Sequence, residues 1–212
     1  MERETVWLSP RYQSGAFPKP LSIESKMSIY EDRVWGWYLD VGKLLSKEVT
    51  ADFVVLMIIL AFFEGHAMYL IGEDYKSKPS GFLFKYGFKR LLTSVMKIEI
   101  EEIEVKEDAN ADSREKIIDQ AADMMWKQAR NGLFHEGMTK RGIGLSRNLK
   151  DTLRLRGKSV PPDKIEVHLT INVPTLLDAV IYYFQQYTTQ LRDPGNAELR
   201  DNFNSTWDDR HP

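Results

Sequence analysis

The stretch WKQARNGLFHEGM, Trp126 to Met138, sets an Arg, an Asn and a His within six residues: Arg130, Asn131 and His135. Arg offers a planar fork of donors matched to phosphate oxygens. His titrates near neutrality and can carry protons in either direction. Asn131 lies four residues before His135, on the same face of a helix, where it can orient the imidazole or bind a substrate oxygen. Together these groups suit RNA cleavage without a metal. A base takes the proton of the ribose 2′-hydroxyl, the Arg stabilises the charged phosphorane-like transition state, and an acid protonates the departing 5′-oxygen. An Arg–His pair at this spacing is expected by chance about a quarter of a time in such a chain, and with Asn after the Arg about once in a hundred. The setting of the motif therefore weighs more than its spacing.

Other candidates are weaker. Glu64 stands in an apolar run and needs a partner, because a lone buried carboxylate is costly. Arg130 is a suitable one, which would make Glu64 a support for the site; a structural ion pair elsewhere is the bland alternative. His66 shares no metal-ligand spacing with a cluster of acids or other His and reads as a core or surface residue. His168 reads as hairpin surface. The aromatics of WGWY, Trp35 to Tyr38, can stack bases, but core packing is the commoner use. RGIGLS lacks the glycine pattern and strand-to-helix context of a phosphate loop. No metal or cofactor site is visible.

Several elements must position these residues. SIYEDRVWGWYLDVGKLLSKE places Ile29, Val34, Tyr38, Val41 and Leu45 at helical spacing. Thr50 can cap a helix from Ala51 to about Ile71, apolar nearly all round and so expected at the centre. Its run FVVLMIILAFF is eleven residues long, too short to span a bilayer, and reads as a buried core helix. FLFKYGFKRLLTSVM predicts a third helix. Ile98 and Ile100 alternate like a strand before the acidic stretch reaching Asp112, read as an exposed loop. A long helix then starts at Asp112 or Ser113, with Ile118, Ala122, Met125, Ala129 and Leu133 as its core stripe and Gly137 as its stop. RGIGLSR and KIEVHLTIN alternate as strands, GKSVPPD reads as loop, and together they predict a small β-hairpin. Pro174 fits the first turn of a last helix ending near Leu191.

At this level the chain resembles the HEPN superfamily (higher eukaryote and prokaryote nucleotide-binding domains). These are all-α bundles whose RNase members carry Arg, a polar residue, a few more residues and His at the end of a long helix, matched here by Arg130, Asn131 and His135. AFFEGHAMYLIG and LLDAVIYYFQQYTTQL have the look of the flanking HEPN helices. The resemblance spans residues 28–192 in outline. It implies an all-α bundle of about five helices, here with a hairpin at about 140–172 before the last helix. Residues 1–27 then form an irregular arm and 193–212 a polar tail in which Trp207 can dock. It also implies a metal-independent endoribonuclease, often of toxin or antiviral systems, although many members bind or scaffold without cutting. A binding module for RNA or a nucleotide, and a structural partner protein, stay open as alternatives.

Composition bounds the rest. The 212 residues carry 29 Lys+Arg against 31 Asp+Glu, a net charge of −2 that makes no global case for nucleic acid or membrane. Locally, Lys97–Asp112 is net −5 and Met138–Thr170 is net +5, so Lys140, Arg141 and Arg147 are the expected RNA contacts. The absence of cysteine excludes disulfides and thiolate chemistry; with no apolar signal core at the N-terminus, the expected location is the cytoplasm and no membrane partner is foreseen. An antitoxin or defence partner protein is compatible. Finally, residues five apart on a helix diverge by about 140°. One chain thus supplies a poor set of acid, base and clamp, and a homodimer with both His135 side chains facing one groove is expected, with an exposed Phe134 at its interface.

Overall fold

The structure, a computed structural model, describes residues 7–13, 16–94, 98–101, 111–160 and 164–211. It is a mainly helical bundle with one small sheet. Ile23–Val34 (α1) continues through a π-helical segment, Trp35–Leu39, into Asp40–Leu45 (α2). The long Asp52–Ile71 (α3) and Ser80–Ser94 (α4) follow. Ala111–Met124 (α5) runs through a second π segment, Met125–Arg130, into Asn131–Glu136 (α6). Val173–Arg192 (α7) and Ala197–Arg210 (α8) close the chain.

α3 is the hub, packing against α4, α7 and α8. With its flanks it is long and apolar enough to cross a membrane, but half of its most apolar window is buried in the fold. Val55, Leu56, Ile59, Leu60 and Phe63 are fully inside. A stripe with Phe53, Val54, Ala61 and Gly65 remains exposed. Thr50 does not cap this helix: a 3₁₀ turn, Val49–Ala51, leads in, and no side chain caps the first turn. Gly87 of α4 is required by closeness rather than by φ. A Cβ there would collide with the Phe63 carbonyl of α3, so the two helices approach almost backbone to backbone.

The first π segment corrects the expected stripe. Leu39 is buried, whereas Tyr38 and Val41 are exposed. A π turn adds one residue to the repeat, so Leu39, five residues after Val34, takes the inward place that an α-helix would give Tyr38.

The sheet is four-stranded, in the order β1-β3-β4-β2, where Ile98–Glu101 is β1, Ile143–Leu145 β2, Leu153–Val160 β3 and Lys164–Ile171 β4. The two expected strands do pair, but in parallel, Ile143 opposite Leu169. The antiparallel partner of β4 is β3, whose Leu155 faces Leu169. Gly157 to Val160, read as loop from sequence, belong to this strand. Leu153 and Leu155 point into the core, an alternation with Arg154 and Arg156 that marks a one-sided strand. The acidic stretch 102–110 and residues 161–163, both read as loop from sequence, lie outside the described residues.

Both ends of the chain join the core. Residues 193–211 are more than a polar tail: α8 buries Phe203 and Trp207. In the N-terminal arm the buried Ser9 hydroxyl donates to Asp32 Oδ2 at 2.6 Å, and Arg11 pairs with the same carboxylate. Asp32 is held below the usual carboxylate range by these hydrogen bonds and the Arg11 charge, which outweigh burial.

Candidate functional site

The motif sits where a π segment turns into a short α-helix. The Asn131 amide donates to the Trp126 carbonyl, five residues back. Gly137, at φ 72°, ends the helix in the left-handed conformation and donates to Leu133 O at 3.2 Å. The chain then doubles back along the helix, and the Lys140 amide donates to Gln128 O at 2.9 Å. Gly132 makes this return possible, because a Cβ there would stand 2.5 Å from the Met138 carbonyl oxygen. The predicted stripe is inward: Ala122, Met125, Ala129 and Leu133 are buried, and Ile118 is half-buried against them. The polar residues of the motif are left on the outer side.

Arg130 is held from four directions. Its Nη2 donates to Glu64 Oε2 at 3.3 Å, with both side chains about a quarter exposed (25%/25%). Its Nη1 donates to Asn131 Oδ1 at 3.5 Å, a long contact. The guanidinium lies 4.7 Å from the centre of the Trp126 ring and 5.2 Å from that of Phe134. Cation–π contacts of this kind contribute about 0.5–2 kcal/mol each, depending on desolvation. Trp126 is itself fixed: it packs 5.3 Å from Phe84 of α4, and a Cβ at Gly81 would meet its indole at 3.1 Å. Glu64, placed by α3, thus meets an Arg placed by the motif helix, the pairing suggested by its position in an apolar run.

His135 is exposed and its side chain makes no hydrogen bond or ion pair with the described residues. It is not brought onto Arg130. Asn131 turns its amide oxygen toward Arg130, and no hydrogen bond joins it to the His135 imidazole. Phe134 is 43% exposed and does not turn inward. Sequence reasoning missed Trp126 as part of the site. Its signal was available: an aromatic four residues before an Arg shares its helix face.

The basic stretch divides. Lys140 pairs with Glu136 at 2.7 Å on the surface, and Arg141 is exposed. Arg147 is taken up elsewhere. It forks onto Asp52 at 2.6 Å and donates to the Ser46 and Glu48 carbonyls, fastening the loop after β2 to the start of α3. His168 is exposed on β4, as read from sequence. His66 is a core residue: it is buried, stacks on Phe62 and lies 3.0 Å from the Tyr30 hydroxyl through Nδ1. Burial, aided by the Arg90 charge, pushes it down to about 3. Among the described residues no group of three or more His, Asp or Glu side chains is placed to hold a metal.

No protein-family model, curated protein or solved structure matches the chain. The functional reading therefore stands on the motif and its geometry.

Proposed function

We propose that this chain is a metal-independent endoribonuclease of the HEPN type. It cleaves RNA by attack of a ribose 2′-oxygen on the adjacent phosphorus, leaving a 2′,3′-cyclic phosphate and a 5′-hydroxyl. The observation that carries the reading is the arrangement at one helix end: a guanidinium held by Glu64, Trp126 and Phe134, and, five residues on and facing away from it, an exposed His135 with no hydrogen bond or ion pair among the described residues. A guanidinium held in place beforehand stabilises developing phosphorane charge without reorganising during the reaction. His135 moves the proton, from the 2′-hydroxyl as base or to the 5′-oxygen as acid.

A single imidazole cannot serve both ends of that displacement. We place a second copy of the chain against the first, around the exposed Phe134, so that two His135 side chains share one groove. Lys140 and Arg141 lie on the same return of the chain and would take the flanking phosphates. In this reading the protein acts in the cytoplasm, in a toxin or defence system, with an antitoxin or defence protein as its restraint. Mixed RNA incubated in EDTA with wild type and with His135→Ala tests it: cyclic-phosphate ends must appear with the first and not with the second.

One observation favours a second reading, an RNA- or nucleotide-binding module that does not cut. Glu64 already occupies part of the Arg130 fork, and no hydrogen bond or ion pair from the described residues orients His135. In that case the same assay returns RNA bound and intact.

A further inference from the structure

A polar cleft opens between α4, α7 and the junction of α3 with α8, sharing no residue with the Arg130 motif. Its inner lobe, of about 350 Å³, is lined by Arg90 and Ser94 of α4 and by Tyr183, Gln186, Tyr187 and Gln190 of α7. A second lobe shares Arg90 and Gln190 and extends to Asn196, Glu198 and Asn202.

We propose that this cleft is a second binding site, for a small organic oxyanion: a phosphate monoester or carboxylate carried on a hydrogen-bonding body of up to about nucleotide size. The charge balance points to an anion. Among the described residues Arg90 forms no ion pair with a carboxylate and no acid lines the inner lobe; Glu198 lines only the outer one. Arg90 is exposed and lines both lobes. A fork of donors with no carboxylate to satisfy it matches an oxyanion's paired oxygens.

The body of the ligand is suggested by the walls. Tyr187 is 4% exposed, and its hydroxyl has no hydrogen-bond partner among the described residues. A buried hydroxyl left unpaired is unfavourable; this one is closed to solvent, so a ligand in the lobe reaches it only with a shift of the Tyr187 ring, and a hydrogen bond made there removes that penalty. Gln186 and Gln190 add amide groups of both polarities along the same helix, and Tyr182, exposed beside them, offers a ring face. The cavity is larger than a bare ion requires and lies at the lower end of the range for small-molecule pockets. The proposal goes beyond RNA cleavage and does not depend on it.

Calorimetric titration of the full chain tests it, with inorganic phosphate, adenosine 5′-monophosphate, uridine 5′-monophosphate, citrate and glutamate as probes. At least one organic probe is expected to bind with Kd below about 1 mM, more tightly than inorganic phosphate. Arg90→Gln, at an exposed position, should weaken it by about tenfold or more. Tyr187→Phe should weaken it by roughly threefold or more while leaving the unliganded protein at least as stable as wild type. His135→Ala should bind as wild type does, whether or not the chain cuts RNA. Binding by the phosphate esters alone, or by the carboxylates alone, identifies the source of the oxyanion. Failure of all probes, or equal binding by Arg90→Gln, overturns the site.

Discussion

Glu64 and Arg130 lie 66 residues apart in sequence and meet at 3.3 Å, each about a quarter exposed (25%/25%). An exposed pair of this kind contributes little to stability, on the order of 1 kcal/mol or less. Its larger consequence is positional, since it fixes one edge of a guanidinium that Asn131, Trp126 and Phe134 hold from other sides. In Glu64→Gln the charge is lost and the shape kept. Cleavage should fall about tenfold in kcat, with KM nearly unchanged and the melting temperature preserved. A change confined to KM, or none at all, would show that Glu64 does not position the clamp.

His135→Ala should lower cleavage by roughly 10²–10⁴-fold, the range for loss of a general acid or base. Folding should be untouched, because the side chain is exposed and makes no hydrogen bond or ion pair with a described residue. Arg130→Lys should also fail, since a point charge cannot reproduce the fork or its stacking on Trp126. Mixing His135→Ala with wild type should reduce activity per wild-type chain if the groove is shared. Full activity in a species that light scattering shows to be monomeric would sink the shared site.

Neutralising Lys140 and Arg141 together should weaken RNA binding and reduce the salt slope by about 1.4, two contacts at roughly 0.7 each for a single strand. Arg147→Gln should behave differently. Its partner is Asp52, so the expected loss is in stability, on the order of 1 kcal/mol, with an unchanged slope. An equal effect of Arg147 on the slope would place it on RNA after all.

His66 makes folding sensitive to acid. Its folded pKa is lowered by burial to about 3, from 6.5. Between these values the unfolded chain binds a proton that the folded chain refuses. The contribution of a neutral His66 is therefore complete above pH 6.5 and is lost progressively as the pH falls toward 3. Stability should fall by up to about 1.4 kcal/mol per pH unit in that window, with relaxation of the site reducing the slope. Denaturant midpoints at pH 7, 6 and 5 check this, and His66→Gln should flatten the dependence. An equal slope in that variant would assign the acid sensitivity to other groups.

Trp207 reports on the end of the chain. It is 2% exposed, and its ring lies 6.1 Å from that of Phe203. Trp207→Ala should cost about 3–5 kcal/mol by chemical denaturation. A cost near zero would mean that α8 is a dispensable tail.

Sequence by itself determined the parts that depend on local periodicity. The stripe from Ala122 to Leu133, the stop at Gly137, the apolar α3 and the proline-led α7 follow from side-chain spacing and backbone preference, and neither needs a distant partner. The Arg–Asn–His grouping was legible for the same reason, and the place of Glu64 in an apolar helix already called for a cation. Tertiary structure decided what depends on contacts between distant segments. Whether a turn bonds to the fourth or the fifth residue back left no mark in the composition of WGWYL, yet it moved Leu39 in and Tyr38 out. Strand direction was likewise open: β2 and β4 each alternate correctly, but pair in parallel because β3 takes the antiparallel edge. Arg147 was one basic residue among many until the fold set Asp52 beside it, and Trp207 one aromatic in a polar tail until α1 set the Arg33 guanidinium over its buried ring. A charge pair and a buried ring are properties of two segments at once, so neither segment alone encodes them.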